Sequence, residues 1–463
     1  MAATAPRPRT STRDPQEITR RLTAWLRTRL PGAQAVGVTV PESNGLSSET
    51  LLFEIDHPEP PVRACALRLA ADPAAYTVFP VYDMPRQYRT MRVVAEHTDL
   101  PVPPRPRTST RDPQEITRRL TAWLRTRLPG AQAVGVTVPE SNGLSSETLL
   151  FEIDHPEPPV RACALRLAAD PAAYTVFPVY DMPRQYRTMR VVAEHTDLPV
   201  PRALWLEEDP GPLGAPFFVM ERVEGRVPPD VMPYTYQGNW LHAASDEERE
   251  RLEAATIALL ARLHDQVPSR QAEFLALPGE GDALRRHVTA QRAYYEWVVD
   301  GLARSPLIED AFDRLEDLWP RDPGTPVLNW GDARIGNIVY DGFAPAAVLD
   351  WEMAALAPRE VDLGWTIYLH RFFHDLTVAF GQRGLPEFLR RDRVETRYAD
   401  LTGHTPRDMD FYTLYAALRH AVVMLRIAYR QAHFGEVAVP ADPDTLILHH
   451  GSLRAMVQGS YWN

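Results

Sequence analysis

The chain has 463 residues and a formal net charge of −11, from 50 basic and 61 acidic side chains. Every one of those basic residues is arginine, which excludes a P-loop ending in Gly-Lys-Ser/Thr, a lysine Schiff base and any catalytic lysine. An acidic bulk disfavours nucleic acid, whose phosphates need cations, and suits solubility or a cationic or neutral small molecule. The first stretch, Met1 to Pro15, has no apolar core, so a signal peptide is not expected. Residues 6–103 recur without a change as residues 104–201. Solenoid repeats are shorter, diverged and at least three in number, so this is a duplication of another kind. Each copy is nearly neutral, and the acidic excess lies beyond residue 202. Cys65 and Cys163 are one residue counted twice. Neither a disulfide scaffold nor a Cys-rich zinc site is expected, and a reducing cytoplasm is.

In the second copy Asp112 can cap a helix with Pro113 at its first position, where N–H groups lack partners. Ile116, Leu120, Trp123, Leu124 and Leu128 follow at helical spacing, and Pro129-Gly130 ends the helix. Val134, Val136 and Val138 alternate as in a half-buried strand. Strands over 148–154 and 160–168, a helix over 183–195, and strands over 203–207 and 216–223 complete a five-stranded sheet with one inserted helix. From about 224 the texture is helical. Ser245 and Glu248 form a capping-box pattern ahead of an apolar face. Further helices are predicted over 282–303, 307–318, 361–380, 385–400 and 408–432. The longest apolar stretch, 411–429, is broken by Arg419, His420 and Arg426. It is therefore a buried core helix, not a membrane span.

A short β-rich island interrupts the helices: 327–330, 338–340 and 347–349. It carries Asn329-Trp-Gly-Asp332-Ala-Arg334-Ile-Gly-Asn337 and then Leu349-Asp350-Trp-Glu352. An aspartate, an asparagine five residues on and a second aspartate after a hairpin suit metal-assisted phosphoryl transfer. One carboxylate orients the attacking hydroxyl, while the other two side chains hold Mg²⁺ against nucleotide phosphates. Arg334 can face the transferred phosphate. His370 and His374, one helical turn apart, lack the glutamate of a zinc-protease motif and are taken as core or solvent histidines. Asp362 is taken as a structural helix-start residue. Tyr294, Tyr295 and Trp297 are taken as packing residues or as part of the acceptor pocket.

These motifs resemble the aminoglycoside phosphotransferase-like kinases, and more closely an actinobacterial branch similar to the kinase domain fused to some acyl-CoA dehydrogenases. The resemblance covers about 104–432. It implies an α+β, two-lobed protein-kinase-like fold: a five-stranded antiparallel N-lobe, a mainly helical C-lobe, and a duplicated partial N-lobe in front. The implied divisions are 1–103 for the partial copy, 104–223 for the N-lobe and hinge, and 224–463 for the C-lobe. Asp332 is then the catalytic aspartate, with Arg334 beside it. Asn337 and Asp350 are metal ligands, and Glu352 is a weaker candidate. Met220, Glu221, Arg222 and Val223 form the hinge that meets the adenine through backbone groups. Gly143, Ser145 and Ser146 lie in the phosphate-covering turn, and Arg166 stands where kinases carry a phosphate-binding lysine.

Three departures stand out. Trp330 replaces the usual histidine before Gly-Asp, Arg166 replaces lysine, and Gln185 replaces a helix glutamate. A Gln–Arg pair is weaker than an ion pair, which puts the lobe-closing contact in question. The first copy carries Gly45 and Arg68 as counterparts of Gly143 and Arg166 but ends before the last two strands, the hinge and the catalytic loop. The implied activity uses ATP, or another nucleoside triphosphate, and Mg²⁺ to phosphorylate a hydroxyl of a small molecule. The acceptor is left open among an aminoglycoside, an amino alcohol, a sugar and a hydroxyacyl-CoA thioester. No nucleic acid and no membrane partner is expected, and no oligomeric state is read. The alternatives are a non-catalytic nucleotide-binding pseudokinase and an interaction protein built on the duplicated lobe.

Overall fold

The computed structural model describes residues 113–137, 146–169, 174–434 and 439–462, together with parts of the first copy. The chain divides into two compact units, Met1–Pro106 and Arg107–Asn463. The described part of the first unit includes helical residues at 19–20, 22–23 and 27 and an antiparallel sheet of β1 (Gln34–Thr39), β2 (Glu49–Asp56) and β3 (Ala64–Leu69), in that order.

The second unit opens with α1 (Pro113–Arg127), whose Ile116, Leu120, Trp123 and Leu124 are buried. Glu115 in its first turn and Arg125 and Arg127 in its last complement the helix dipole. The strands that follow are β4 (Gln132–Thr137), β5 (Glu147–Asp154), β6 (Ala162–Leu167), β7 (Ala203–Glu207) and β8 (Phe217–Glu221). They form one antiparallel sheet in the order β4-β5-β6-β8-β7. The helix α2 (Met182–His195) is inserted between β6 and β7. Its cap Asp181 accepts the Arg184 N–H at 2.8 Å, satisfying a donor that the first turn leaves unpaired.

The helical part holds α3 (Trp240–Ala243), α4 (Asp246–Gln266), α5 (Ala283–Val298) and α6 (Pro306–Asp317). Ser245 and Glu248 form both bonds of the expected capping box at the start of α4. The island follows as β9 (Val327–Asn329), β10 (Ile338–Asp341), β11 (Ala344–Val348) and β12 (Ala355–Ala357). β10 pairs with β11 and β9 with β12, both antiparallel. The last helices are α7 (Glu360–Ala379), α8 (Arg391–Thr402), α9 (Met409–His433) and α10 (His450–Val457). α9 is the predicted core helix, and the polar residues that interrupt its apolar run, Arg419, His420 and Arg426, are themselves buried. No helix among the described residues is long and apolar enough to cross a membrane.

The helix predicted over 385–400 begins only at Arg391. Gly381, Gly384 and Leu389 have positive φ, and Pro386 lies among them, so the backbone before Arg391 cannot be helical. Leu385, Phe388 and Leu389 are nevertheless buried, which is why their spacing imitates a helix face. α10 and β12 are short elements with weak patterning and were not anticipated.

Because Arg107–Asn463 is a compact unit by itself, deleting residues 6–103 should leave a soluble protein. Its unfolding midpoint is expected to stay within about 2 °C of that unit's transition in the full chain, a shift worth about 1.5 kcal/mol at most for a unit of this size. Loss of soluble protein on deletion would show that the first copy contributes to the core.

Candidate active site

The island is held by one buried carboxylate. Asp362, in the first turn of α7, is fully buried and accepts the backbone N–H groups of Trp330 at 2.7 Å and Gly331 at 2.8 Å. Its own N–H donates to the Asn329 side-chain oxygen at 3.1 Å, and Asn329 Nδ2 donates to the Ala357 carbonyl at 2.7 Å. His264 of α4 adds a contact to the carboxylate at 3.2 Å and meets the Tyr398 hydroxyl at 2.8 Å. Gly331 has φ +89°, and a Cβ there would fall 2.0 Å from the Met353 carbonyl oxygen. Only glycine lets the loop approach the following turn so closely. On the other side, Arg419 of α9 donates to the Gly331 carbonyl at 3.0 Å.

The next residue, Asp332, is thereby presented at the rim with its side chain 15 % exposed. Asn337 donates Nδ2 to the Asp332 carboxylate at 2.6 Å and to its backbone carbonyl at 3.2 Å. The Trp365 indole N–H donates to the other carboxylate oxygen at 2.7 Å. Arg334 Nε lies 3.1 and 3.0 Å from the two oxygens, and its Nη1 contacts Asp230. Burial disfavours the Arg334 charge, but Asp332 and Asp230 outweigh it and hold its pKa well above the ordinary value.

The second aspartate comes from the turn after β11. Leu349 N–H donates to the Asn337 carbonyl at 2.9 Å, which sets Asp350 beside Asn337. Asp350 has φ +59°, a left-handed conformation that a residue with a Cβ adopts at a cost of about 1 kcal/mol or more. Trp330 supports that turn by donating its indole N–H to the carbonyls of Leu349 at 2.8 Å and Asp350 at 3.1 Å. The departure from histidine therefore serves a structural link between the two loops.

Arg166 reaches the same point from the sheet. Thr148, Arg166 and Phe218 are cross-strand partners, so their side chains share one face, above a cavity of about 80 Å³ that Asp350 and Gln185 also line. Arg166 Nη2 lies 3.2 Å from Asp350 and 3.6 Å from Glu352. Burial opposes its charge, and the two carboxylates more than restore it. The expected Gln–Arg lobe contact is thus replaced by Arg166 pairing with both acids. The neighbouring Arg184 also bridges the lobes, donating to the Leu275 and Ala354 carbonyls at 3.1 and 3.0 Å.

The hinge expectation narrows. Glu221 N–H donates to the Arg202 carbonyl and Arg222 N–H to the Ala162 carbonyl, each at 2.9 Å, so neither amide is left for a ligand. Met220 is paired within the sheet to Ala164. Val223, just past β8, has no hydrogen bond to its N–H among the described residues. Gly143 and Ser145 lie outside the described residues; Ser146 is buried, and its hydroxyl has no hydrogen-bond partner among the described residues. His370 uses both ring nitrogens, on the Tyr234 hydroxyl at 3.0 Å and the Leu385 carbonyl at 3.1 Å, and burial pushes its pKa down to about 3. It is a core histidine. Asp230, Trp365 and Arg419 were not anticipated as site residues. Each reaches the loop from a distant stretch of chain and carries no local motif.

Residues 169–431 match the phosphotransferase enzyme family, APH. The chain is 26% identical over 261 residues to an Arabidopsis thaliana protein assigned as an acyl-CoA dehydrogenase, covering 52% of this chain and 30% of that protein. It is 24% identical over 265 residues to acyl-CoA dehydrogenase family member 10 of Mus musculus, covering 55% and 23%. It thus spans less than a third of the length of these relatives. A crystal structure assigned as an aminoglycoside phosphotransferase from Ralstonia eutropha superposes with a TM-score of 0.53 at 23% identity, covering 75% of this chain and 97% of that one. The likeness shows the fold, a kinase-like pairing of a five-stranded sheet with a helical lobe. With the matched segment running from just past β6 to near the end of α9, through the loops that carry Asp332, Asn337 and Asp350, the chain belongs to the phosphotransferase enzyme family.

Proposed function

We propose that the chain transfers the γ-phosphate of ATP, or of another nucleoside triphosphate, to a hydroxyl group of a small molecule. The observation that carries this reading is the convergence of Asp332, Asn337 and Asp350 through the Asn337–Asp332 and Leu349–Asn337 hydrogen bonds. Asp332 accepts the proton as the acceptor hydroxyl approaches the phosphate. Trp365 and Asn337 fix its carboxylate, so it is oriented before the acceptor arrives. Arg334, clamped by Asp332 and Asp230, places a cation next to the reacting oxygens.

A magnesium ion fits the donor chemistry. Asn337 and Asp350 supply hard oxygens on adjacent loops, and magnesium takes few protein ligands beside water and phosphate oxygens. When bound, the ion would neutralise charge on the phosphates. Glu352 pairs with Arg166 and is better placed to steady that arginine than to bind metal directly. Arg166, Val223 and Ser146 are the described groups proposed to meet the nucleotide, with Gly143 and Ser145 from the covering turn. The pseudokinase alternative drew on Arg166, Gln185 and Trp330. It loses force where Arg166 has two acidic partners and Trp330 ties the two loops together.

Asp332→Asn should keep nucleotide affinity and lose phosphoryl transfer by about 10²–10⁴-fold, the usual contribution of a positioned base. Asparagine retains the shape but cannot take the proton. Rates at saturating ATP, once an acceptor is in hand, check this; a mutant with the wild-type rate removes Asp332 from the chemistry.

Asp350→Ala should weaken binding of the magnesium–nucleotide complex far more than Asp332→Asn does, with less effect on nucleotide alone. Calorimetry with and without Mg²⁺ reads the difference. Equal losses in the two variants would erase the division between metal ligand and base.

A further inference from the structure

The segment 174–181, between β6 and α2, lies against α5 and α9. Tyr294 of α5 donates its hydroxyl to the Val176 carbonyl, and Arg426 of α9 donates Nε to the Thr175 carbonyl, each at 2.8 Å. The Arg426 guanidinium lies over two rings, 3.8 Å from the Tyr174 centroid and 4.0 Å from that of Trp297. Its residue is only 9% exposed, yet no carboxylate among the described residues pairs with it. Burial works against its charge, and Arg430, one turn further along α9, adds like charge. Two rings pack against the guanidinium and a carbonyl takes Nε. Its Nη edge, which forms no hydrogen bond among the described residues, is the part suited to an oxyanion.

The same cluster borders the reacting groups. Tyr180 and Tyr294 lie within electrostatic reach of both Arg426 and Glu352, and Tyr180 also within reach of Arg166. Along α9, Arg426 stands two turns beyond Arg419, the residue that bonds the Gly331 carbonyl next to Asp332. Two turns of helix measure about 10 Å. A polycationic acceptor would meet like charge at this wall.

We infer that Arg426 recognises an anionic group, carboxylate or phosphate, carried by the acceptor on the order of 10 Å from the hydroxyl that Asp332 addresses. This deepens the kinase reading and rests on it for the direction of the hydroxyl. The two rings and the Nε bond to the Thr175 carbonyl hold the guanidinium in place, so the anion meets a preoriented edge.

The test is a charge series on the full chain with bound MgADP, measured by calorimetry: ω-hydroxyoctanoate, ω-hydroxyoctyl phosphate, octanediol and amino-octanol. At least one anion should bind about tenfold or more tighter than the diol, with the amine weakest, as a charge-assisted hydrogen bond allows. Whichever anion binds better identifies the group as carboxylate or phosphate. Arg426→Gln should abolish the preference and Arg426→Lys keep part of it, MgADP affinity serving as the check on folding. Equal affinities, a preference for the amine, no binding of either anion at millimolar concentration, or a preference that survives Arg426→Gln would overturn the inference. Mass spectrometry of the same mixtures with MgATP separates the two ideas. Anion preference without phosphorylated product leaves the Arg426 site standing and removes the kinase reading; product without charge preference does the reverse.

Discussion

The buried carboxylate of Asp362 is the constraint on which the site depends. Two backbone N–H groups, those of Trp330 and Gly331, end on it, and no water is needed to satisfy them. Each such charge-assisted bond contributes roughly 1.5–3 kcal/mol, and an unmatched buried carboxylate would cost more than that. The loop is therefore fixed at the two residues that precede Asp332. Everything that touches Asp332 then needs only short reach: Asn337 and Arg334 from the same loop and Trp365 one turn along the helix that carries Asp362, while Arg419 from α9 holds the Gly331 carbonyl just before it.

A second layer joins the lobes. Arg166 on the sheet pairs with Asp350 and Glu352 on the opposite side of the cleft, and Arg184 holds two carbonyls of the helical part. These contacts use charge where a helix glutamate is missing. Asp350 sits in a strained left-handed turn, braced by the Trp330 indole and by Arg166. Strain of this kind persists only where the surroundings over-determine it. Here the bracing residues are the very ones that depart from the family's usual pattern, so the departures compensate one another.

Much of this was legible in the chain. Asp332, Asn337 and Asp350 are local in sequence, and their spacing alone suggested phosphoryl transfer. The strands and the long helices were legible too, because alternation and helical periodicity persist over many residues, as in β5 or α9. Asp230, Trp365 and Arg419 were not, since nothing nearby marks them and only the tertiary fold brings them to the loop. The role of Trp330 was hidden for a different reason: a large apolar ring before Gly-Asp reads as packing until its N–H is seen to span two loops. The stretch before Arg391 failed because buried leucines and a phenylalanine in an irregular loop match a helix face by chance of spacing.

The anchoring by Asp362 can be measured directly through amide hydrogen exchange at Trp330 and Gly331, in the wild type and in Asp362→Asn, with MgATP affinity determined on the same samples. The account predicts strong protection of both amides in the wild type. In the variant, exchange should accelerate by about ten- to a hundredfold, the effect of losing roughly 1.5–3 kcal/mol of charge-assisted bonding, and MgATP binding should weaken with it. Unchanged protection at the two amides, or faster exchange with undiminished MgATP binding, would contradict the claim that this carboxylate organises the site.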